Sequence, residues 1–216
     1  GVPVHPDRNQ PQSTLIDLVR DYLREKEDIP ANSANFQPSL CHRLDRNTGG
    51  LVIVAKNQAS LDTMLEKLEG REVRKYYQCL VKGKMERPCA QLKANLWKDA
   101  GKSRVFVMGS KKPGSLEIIT GYKVMEYFPA KDISLLAVEL ITGRTHQIRA
   151  HLAYAGHPVI GDGKYGSNAV NRSFGIKRQA LWAYKLKFDF KKDTSMLDYL
   201  NGKEFSIKPE FGINLH

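Results

Sequence analysis

Ten residues, Val73 to Lys82 (VRKYYQCLVK), restrict the fold of this chain more than any other stretch. Val73, Lys75, Tyr77, Cys79 and Val81 share one face of an extended strand, and Arg74, Tyr76, Gln78, Leu80 and Lys82 share the other. A period of two does not place an apolar stripe on a helix, so the segment requires sheet partners. Ala180 to Phe190 alternates as well, with Trp182, Tyr184, Leu186, Phe188 and Phe190 on one face and Lys185, Lys187 and Asp189 on the other. That aromatic stripe reads as core.

Further strands are expected at Ser103 to Met108, Glu117 to Thr120, Tyr122 to Tyr127, Ser134 to Ile141 and Glu204 to Lys208. Turn signals at Lys98 to Gly101 and Lys111 to Gly114 join them as mainly antiparallel structure. Helices are fewer. Ser13 or Thr14 caps one in which Leu15, Ile16, Leu18, Val19, Tyr22 and Leu23 form the apolar face. Asn57 caps a second, with Leu61, Met64, Leu65 and Leu68 inward and Gly70 beyond its end. A third runs from about His146 to Ala155 and stops at Gly156. Residues 1 to 6 look like a strand already begun, 27 to 38 form a loop, and the glycine-rich Pro158 to Gly166 lacks a phosphate-loop pattern and reads as turns. A short helical turn surrounds Leu197 to Leu200. With no repeat, linker or low-complexity tract, the expectation is one α+β domain over residues 1–216: a mixed, mainly antiparallel sheet with flanking helices.

Chemistry concentrates in Cys41 to Lys56, CHRLDRNTGGLVIVAK. His42, Arg43 and Arg46 surround one carboxylate, Asp45, ahead of an apolar run, Leu51 to Ala55, expected as a buried central strand. Arg around a carboxylate on an anchored loop either structures the loop or presents the carboxylate to a ligand. From these residues alone both readings stand.

The net charge of +11 is regional. Residues 71–112 carry twelve Lys/Arg against three Asp/Glu, and residues 164–192 carry eight against one. Two basic tracts within a folded domain suit a polyanion, nucleic acid rather than membrane, because neither is an amphipathic helix. No apolar run approaches the roughly 20 residues of a membrane span, and a cytosolic protein is expected. Cys41, Cys79 and Cys89 make an odd count without a C-x-x-C pair, which fits reduced buried thiols better than disulfides or zinc.

Asp45 in HRLDRNTGG, Tyr77 in KYYQCLVKG and Arg149 in TGRTHQIRAHL follow one another in an order that resembles the RluA-type pseudouridine synthases. The resemblance continues through GHPVIGDGKYG and ALWAYKLKF, covering essentially the whole chain. It implies the pseudouridine synthase fold and isomerisation of a uridine in RNA, ribosomal or transfer: the base leaves C1′, rotates and rejoins through C5, without metal or organic cofactor. Asp45 matches the catalytic aspartate, Tyr77 the tyrosine that stacks on the flipped base, and Arg149 the arginine that pairs with the aspartate. Arg43, Arg46, Arg144, His146 and Gln147 lie in the same motifs and are candidate RNA contacts. Gly49 stands where the family commonly has Ser, and Trp182 where it often has His. The family's initial strand, with its Lys-Pro, is absent ahead of Gly1 to Pro6, so a chain truncated at its N-terminus is expected. A monomer is expected, since no separate apolar patch asks for a partner.

Three other classes compete. A non-catalytic RNA-binding protein on the same fold would not need Asp45, Tyr77 and Arg149 together. A metallohydrolase would use His42, His146, His151 and Cys41, but His146 and His151 are five apart where a helical zinc pair needs four. A glycosidase would need a second carboxylate in comparable context, and none is evident.

Overall fold

The computed structural model describes residues 2–4, 13–26, 36–99, 101, 103–176, 178–192 and 194–213. The elements in chain order are α1 (Leu15–Glu25), β1 (Ser39–Leu40), β2 (Gly49–Gly50), β3 (Val54–Ala55), α2 (Gln58–Glu69), β4 (Val73–Lys82), β5 (Cys89–Asp99), β6 (Arg104–Met108), β7 (Leu116–Phe128), β8 (Ile133–Leu140), α3 (Gln147–Tyr154), α4 (Asn168–Ser173), β9 (Leu181–Phe188), a 3₁₀ turn (Ser195–Leu200) and β10 (Glu204–Ser206). An eight-stranded sheet runs β10-β9-β4-β8-β7-β5-β6, with β2 beside β9. Every pairing in it is antiparallel except β2 with β9. This is the α+β architecture that the alternating segments require.

β4 occupies the span expected for it and lies between β8 and β9. One of its faces is buried twice over. Tyr77, Cys79 and Val81 pack with Leu44 and with Ile148 and Leu152 of α3, while Val73 packs with Met64 of α2. Both helices therefore sit on the Tyr77 side of the sheet. The third apolar residue pair of that face comes from β9, but not as a continuous aromatic stripe. Tyr76 faces Lys185 and Tyr77 faces Ala183, leaving Tyr184 as an extra residue in β9. This bulge resets the alternation, so the buried residues are Leu181, Ala183, Leu186 and Phe188, and Trp182 and Tyr184 are only half-buried.

The apolar run after Asp45 is not a central strand. Only Val54–Ala55 is regular, paired with Ser39–Leu40 in a two-stranded ribbon outside the main sheet. Between them the backbone groups go to different partners: Leu51 N donates to Ala183 O at 2.9 Å, Ile53 N to His42 Nε2 at 3.2 Å, and Cys41 N to Ile53 O at 2.9 Å. The run bridges sheet and ribbon instead of joining a ladder, and Leu51, Val52 and Ile53 remain half-buried. Its start is held very close to β9. A Cβ on Gly50, whose φ is +121°, would lie 2.2 Å from Ala183 O, so only glycine fits.

The helices follow their caps. The Asp17 carboxylate accepts from the Thr14 amide at 3.0 Å at the start of α1, and Asn57 Oδ1 accepts from Ser60 N at 2.8 Å at the start of α2. Their apolar faces are narrower than the spacing suggests: Leu18, Tyr22 and Leu65 are exposed. In α2 the buried Lys67 pairs with Glu72 at 3.2 Å. Three features were not legible in the sequence. β5 and α4 had no clear signal, and the strands expected at 117–120 and 122–127 are one strand, β7. Cys41 and Cys79 are buried free thiols as expected, but Cys89 is exposed at the start of β5. Val2 to Val4 is not a strand, and most of the loop expected over 27–38 falls at 27–35, outside the described residues.

Gly49 and Trp182 are matched to each other. A Cβ on Gly49 would approach the Trp182 ring to 2.5 Å, and Trp182 Nε1 is buried without a partner among the described residues. Gly49→Ser is expected to lower stability by about 1–3 kcal/mol through overpacking. Combining it with Trp182→His should recover most of that loss in a double-mutant cycle by chemical denaturation. Additive losses would mean that the two positions do not share the space.

Candidate active site

Asp45 sits in the loop between β1 and β2, tied at both ends. Leu44 is buried in the core under β4, and Thr48 N donates to Asp45 O at 3.0 Å. Gln179, just before β9, closes the loop from the other side: its Nε2 donates to Arg46 O at 2.9 Å and to Thr48 Oγ1 at 2.8 Å. The Asp45 side chain stays 24 % exposed, at the edge of a groove of about 380 Å³ that Gly49, Trp182, Gln179 and Phe211 also line. A carboxylate that is anchored yet open is one that can act on a ligand.

Arg149 meets it from α3. Nη1 donates to Asp45 Oδ2 at 3.2 Å, while Nε and Nη2 make a two-pronged contact with Asp162, at 2.7 Å to Oδ2 and 2.9 Å to Oδ1. The guanidinium is 7 % exposed and Asp162 not at all. Asp162 also accepts from the amides of Lys164 (2.8 Å) and Tyr165 (3.1 Å). Burial alone would raise its carboxyl pKa, but Arg149 and these amides hold it below the ordinary carboxylate value. For Arg149, burial works against the charge and the two carboxylates more than restore it, so its pKa is raised. Asp45 receives one donor from this cation, and among the described residues its Oδ1 has none.

The elements that deliver these groups are each fastened. Pro158 to Ile160 runs beside the end of β4, with Ile160 N donating to Leu80 O at 2.9 Å and Lys82 N to Pro158 O at 3.0 Å. Gly161, at φ +80°, then turns the chain under α3; a Cβ there would lie 2.0 Å from Arg178 O. Asn171 of α4 holds this turn by accepting from Gly161 N at 2.8 Å and donating to Asp162 O at 3.1 Å. At the start of α3, Gln147 is buried and fully engaged. Its Oε1 accepts from Thr142 Oγ1 (2.8 Å) and Arg144 N (3.1 Å), and its Nε2 donates to Ile119 O and Thr120 Oγ1, both at 3.0 Å. Grouped by its motif with the RNA contacts, Gln147 instead fixes α3 on β7.

Tyr77 packs in the core with Leu44 of the Asp45 loop, with 6 % of its surface exposed. Burial, and secondarily the Asp45 charge, push its phenol far above the ordinary value, so it is neutral throughout the physiological range. His146 stands in the left-handed region (φ 52°) before α3, with Nδ1 2.9 Å from Tyr165 Oη. Burial lowers its pKa, Arg149 and Lys164 adding to that against the pull of Asp45. The Tyr165 ring is 5.3 Å from the guanidinium carbons of both Arg149 and Arg104. Arg43, Arg46 and Arg144 are exposed.

The groups that a metal reading would gather are engaged separately. His42 Nε2 accepts from Ile53 N, His146 meets Tyr165, His151 Nδ1 is 3.0 Å from Thr120 Oγ1, and Cys41 is buried. Asp162, Tyr165 and Gln179 belong to the candidate site by their contacts, although the motif reading passed over them. GDGKYG looked like turns because nothing local distinguishes a carboxylate that faces a helix 13 residues earlier from one that caps its own loop. It does both.

Residues 1–154 match the family model described as RNA pseudouridylate synthase. The chain is 38% identical over 152 residues to ribosomal large subunit pseudouridine synthase C of Vibrio vulnificus, covering 69% of this chain and 46% of that protein. It is 32% identical over 197 residues to ribosomal large subunit pseudouridine synthase D of Yersinia pestis, covering 87% and 57%. The fold resembles human RNA pseudouridylate synthase domain containing 1, with a TM-score of 0.67, 25% identity and coverage of 89% and 80%. The chain spans about half the length of the curated relatives it matches.

Asp162→Asn is expected to destabilise the fold by about 3 kcal/mol or more, because it leaves a buried guanidinium with a single carboxylate. Equilibrium denaturation measures this, and a change within 0.5 kcal/mol (roughly the surface-substitution range) would remove Asp162 from its supporting role. The two inward histidines set an acid limit. Burial lowers the pKa of His42 and of His151 from 6.5 to about 4. Their stabilising effect is complete above pH 6.5 and lost as pH falls towards 4, since the unfolded chain takes up the protons first. Unfolding free energy should therefore decline across that window, before the lowered Asp162 carboxyl contributes, and a flat profile there would contradict the burial of both rings.

Proposed function

The chain belongs to the RluA-type RNA pseudouridine synthases, and on that premise we propose that it converts specific uridines in structured RNA to pseudouridine, with Asp45 as the catalytic carboxylate. The single observation that carries this reading is the open Asp45 carboxylate, bonded to one arm of an Arg149 whose other arm is spent on Asp162. The reaction is an isomerisation. The N1–C1′ bond breaks, the base turns, a C5–C1′ bond forms, and the proton lost from C5 is balanced by one gained at N1. No redox change occurs, and all atoms of the substrate are retained.

Each group has a part in this. Asp45 acts either as nucleophile at C1′ or as the base beside it, and the hydrogen bond from Arg149 orients it for that role. With the direction of the carboxylate fixed, the nucleotide is brought to it. A uridine inside a helix cannot reach the groove; flipping it out costs a few kcal/mol, of which contact with an aromatic returns about 1 to 3. Tyr77, next to the Asp45 loop and with a phenol that stays neutral, is the aromatic proposed to supply that contact. Arg43, Arg46, Arg144 and His146 are placed to meet the RNA around the flipped nucleotide. The names of the relatives favour ribosomal RNA of the large subunit as substrate, and transfer RNA is the other class to assay.

Asp45→Asn keeps the side chain's size and its acceptor to Arg149 but removes the charge. The variant should form no detectable pseudouridine on an unmodified large-subunit ribosomal RNA transcript under single-turnover conditions, while its affinity for the transcript stays within about threefold. Substantial turnover by Asp45→Asn would sink the assignment. Retained binding with no turnover by the wild type on any RNA would favour a non-catalytic binder.

A further inference from the structure

Lys75 precedes Tyr77 by two residues on the same face of β4. It is half-buried, and among the described residues its ammonium has neither a hydrogen bond nor a carboxylate at ion-pair distance. Its neighbours offer no negative charge. A Cβ on Gly143 would stand 3.5 Å from Lys75 Nζ, which places the ammonium against the turn that leads into α3. On another side is His42, close enough for the Lys75 charge to lower its pKa further after burial has done so. His42 already accepts the Ile53 amide, so it is neutral and cannot serve as counter-ion. Glu139 acts on Arg74, which is on the opposite face of the strand.

The chain neighbours add to the excess. Arg43 follows His42 and Arg144 follows Gly143; both are exposed and have no ion pair among the described residues. A partly dehydrated ammonium without a counter-ion costs stability, and Lys75 has its pKa lowered by burial with nothing offsetting it. Three cations without carboxylates among the described residues, one of them half-buried against Gly143 and two residues from Tyr77, make a receptor whose anion arrives with the ligand.

We propose that Lys75, with Arg43 and Arg144 at the rim, binds a backbone phosphate of the RNA next to the isomerised nucleotide. The inference rests on the function proposed above and adds one site to it. Lys75 is half-buried at the turn into α3, so it positions the nucleotide rather than taking part in bond making.

The contrary reading is that Lys75 only packs its methylene stem, and the two make opposite predictions for Lys75→Met. An unmodified large-subunit ribosomal RNA transcript is titrated against wild type, Lys75→Met and Lys75→Arg over a range of salt, and the thermal unfolding of each free protein is recorded. Lys75→Met should bind about tenfold more weakly at moderate salt, with a log–log salt slope shallower by about one, and should unfold at or above the wild-type temperature. Lys75→Arg should keep most of the affinity and the slope. A more stable Lys75→Met with unchanged affinity and slope would overturn the phosphate site. Lys75→Gln is read in the same way if the methionine variant does not fold. Pseudouridine formation by the wild type on the same transcript is scored separately, so its failure counts against the functional reading, and an unchanged slope counts against Lys75 alone.

Discussion

The site depends on one guanidinium placed between two carboxylates of unequal exposure. Arg149 is buried with Asp162, and the charge of each would be costly there without the other. Asp162 takes the two-pronged contact and two further amide donors, so it is saturated and cannot act on anything else. Asp45 takes what remains: one hydrogen bond, a fixed direction and an open side. The division of labour follows from geometry rather than residue type, because both are aspartates.

Holding that guanidinium in place accounts for much of the surrounding structure. α3 must not slide, and the buried Gln147 fastens its first turn to β7 while His151 meets Thr120 one turn later. The turn carrying Asp162 must not lift, and the end of β4, Asn171 and a glycine at positive φ hold it. The Asp45 loop must not drift, and Gln179 together with the parallel contact of Gly49–Gly50 to β9 holds that. Two of these attachments lead to β4 and its neighbour β9, and the third leads to β7, two strands from β4. The bulge at Tyr184 belongs to the same system, since it lets β9 present Leu181 and Ala183 beneath the Asp45 loop and Leu186 and Phe188 beneath α2.

Around the fixed carboxylate the surface is cationic. Arg43, Arg46 and Arg144 are exposed, Arg104 lies over Tyr165, and Lys75 is half-buried. Such an arrangement suits a polyanionic substrate. Under the proposed function this separates two jobs: the charges outside would orient the polyanion, and the buried Arg149–Asp162 pair would hold the carboxylate that acts on it.

Sequence alone determined the fold class, the span of β4, the caps of α1 and α2, and the identity of the Asp45, Tyr77 and Arg149 motifs, because each is written in a local pattern: a period of two, a capping residue or a run of consecutive side chains. Tertiary structure decided the rest. The Leu51–Ala55 run has the composition of a buried strand, but its backbone partners come from His42, Cys41 and Ala183, which no local pattern relates to it. The β9 stripe is interrupted because the extra residue is defined only against Tyr76 and Tyr77 of another strand. Gln147 reads as a polar surface residue of a motif until β7 is packed over it. Asp162 was an ordinary turn aspartate until Arg149 was set above it. A carboxylate's role depends on what shares its desolvated space, and that is settled only when distant segments are brought together.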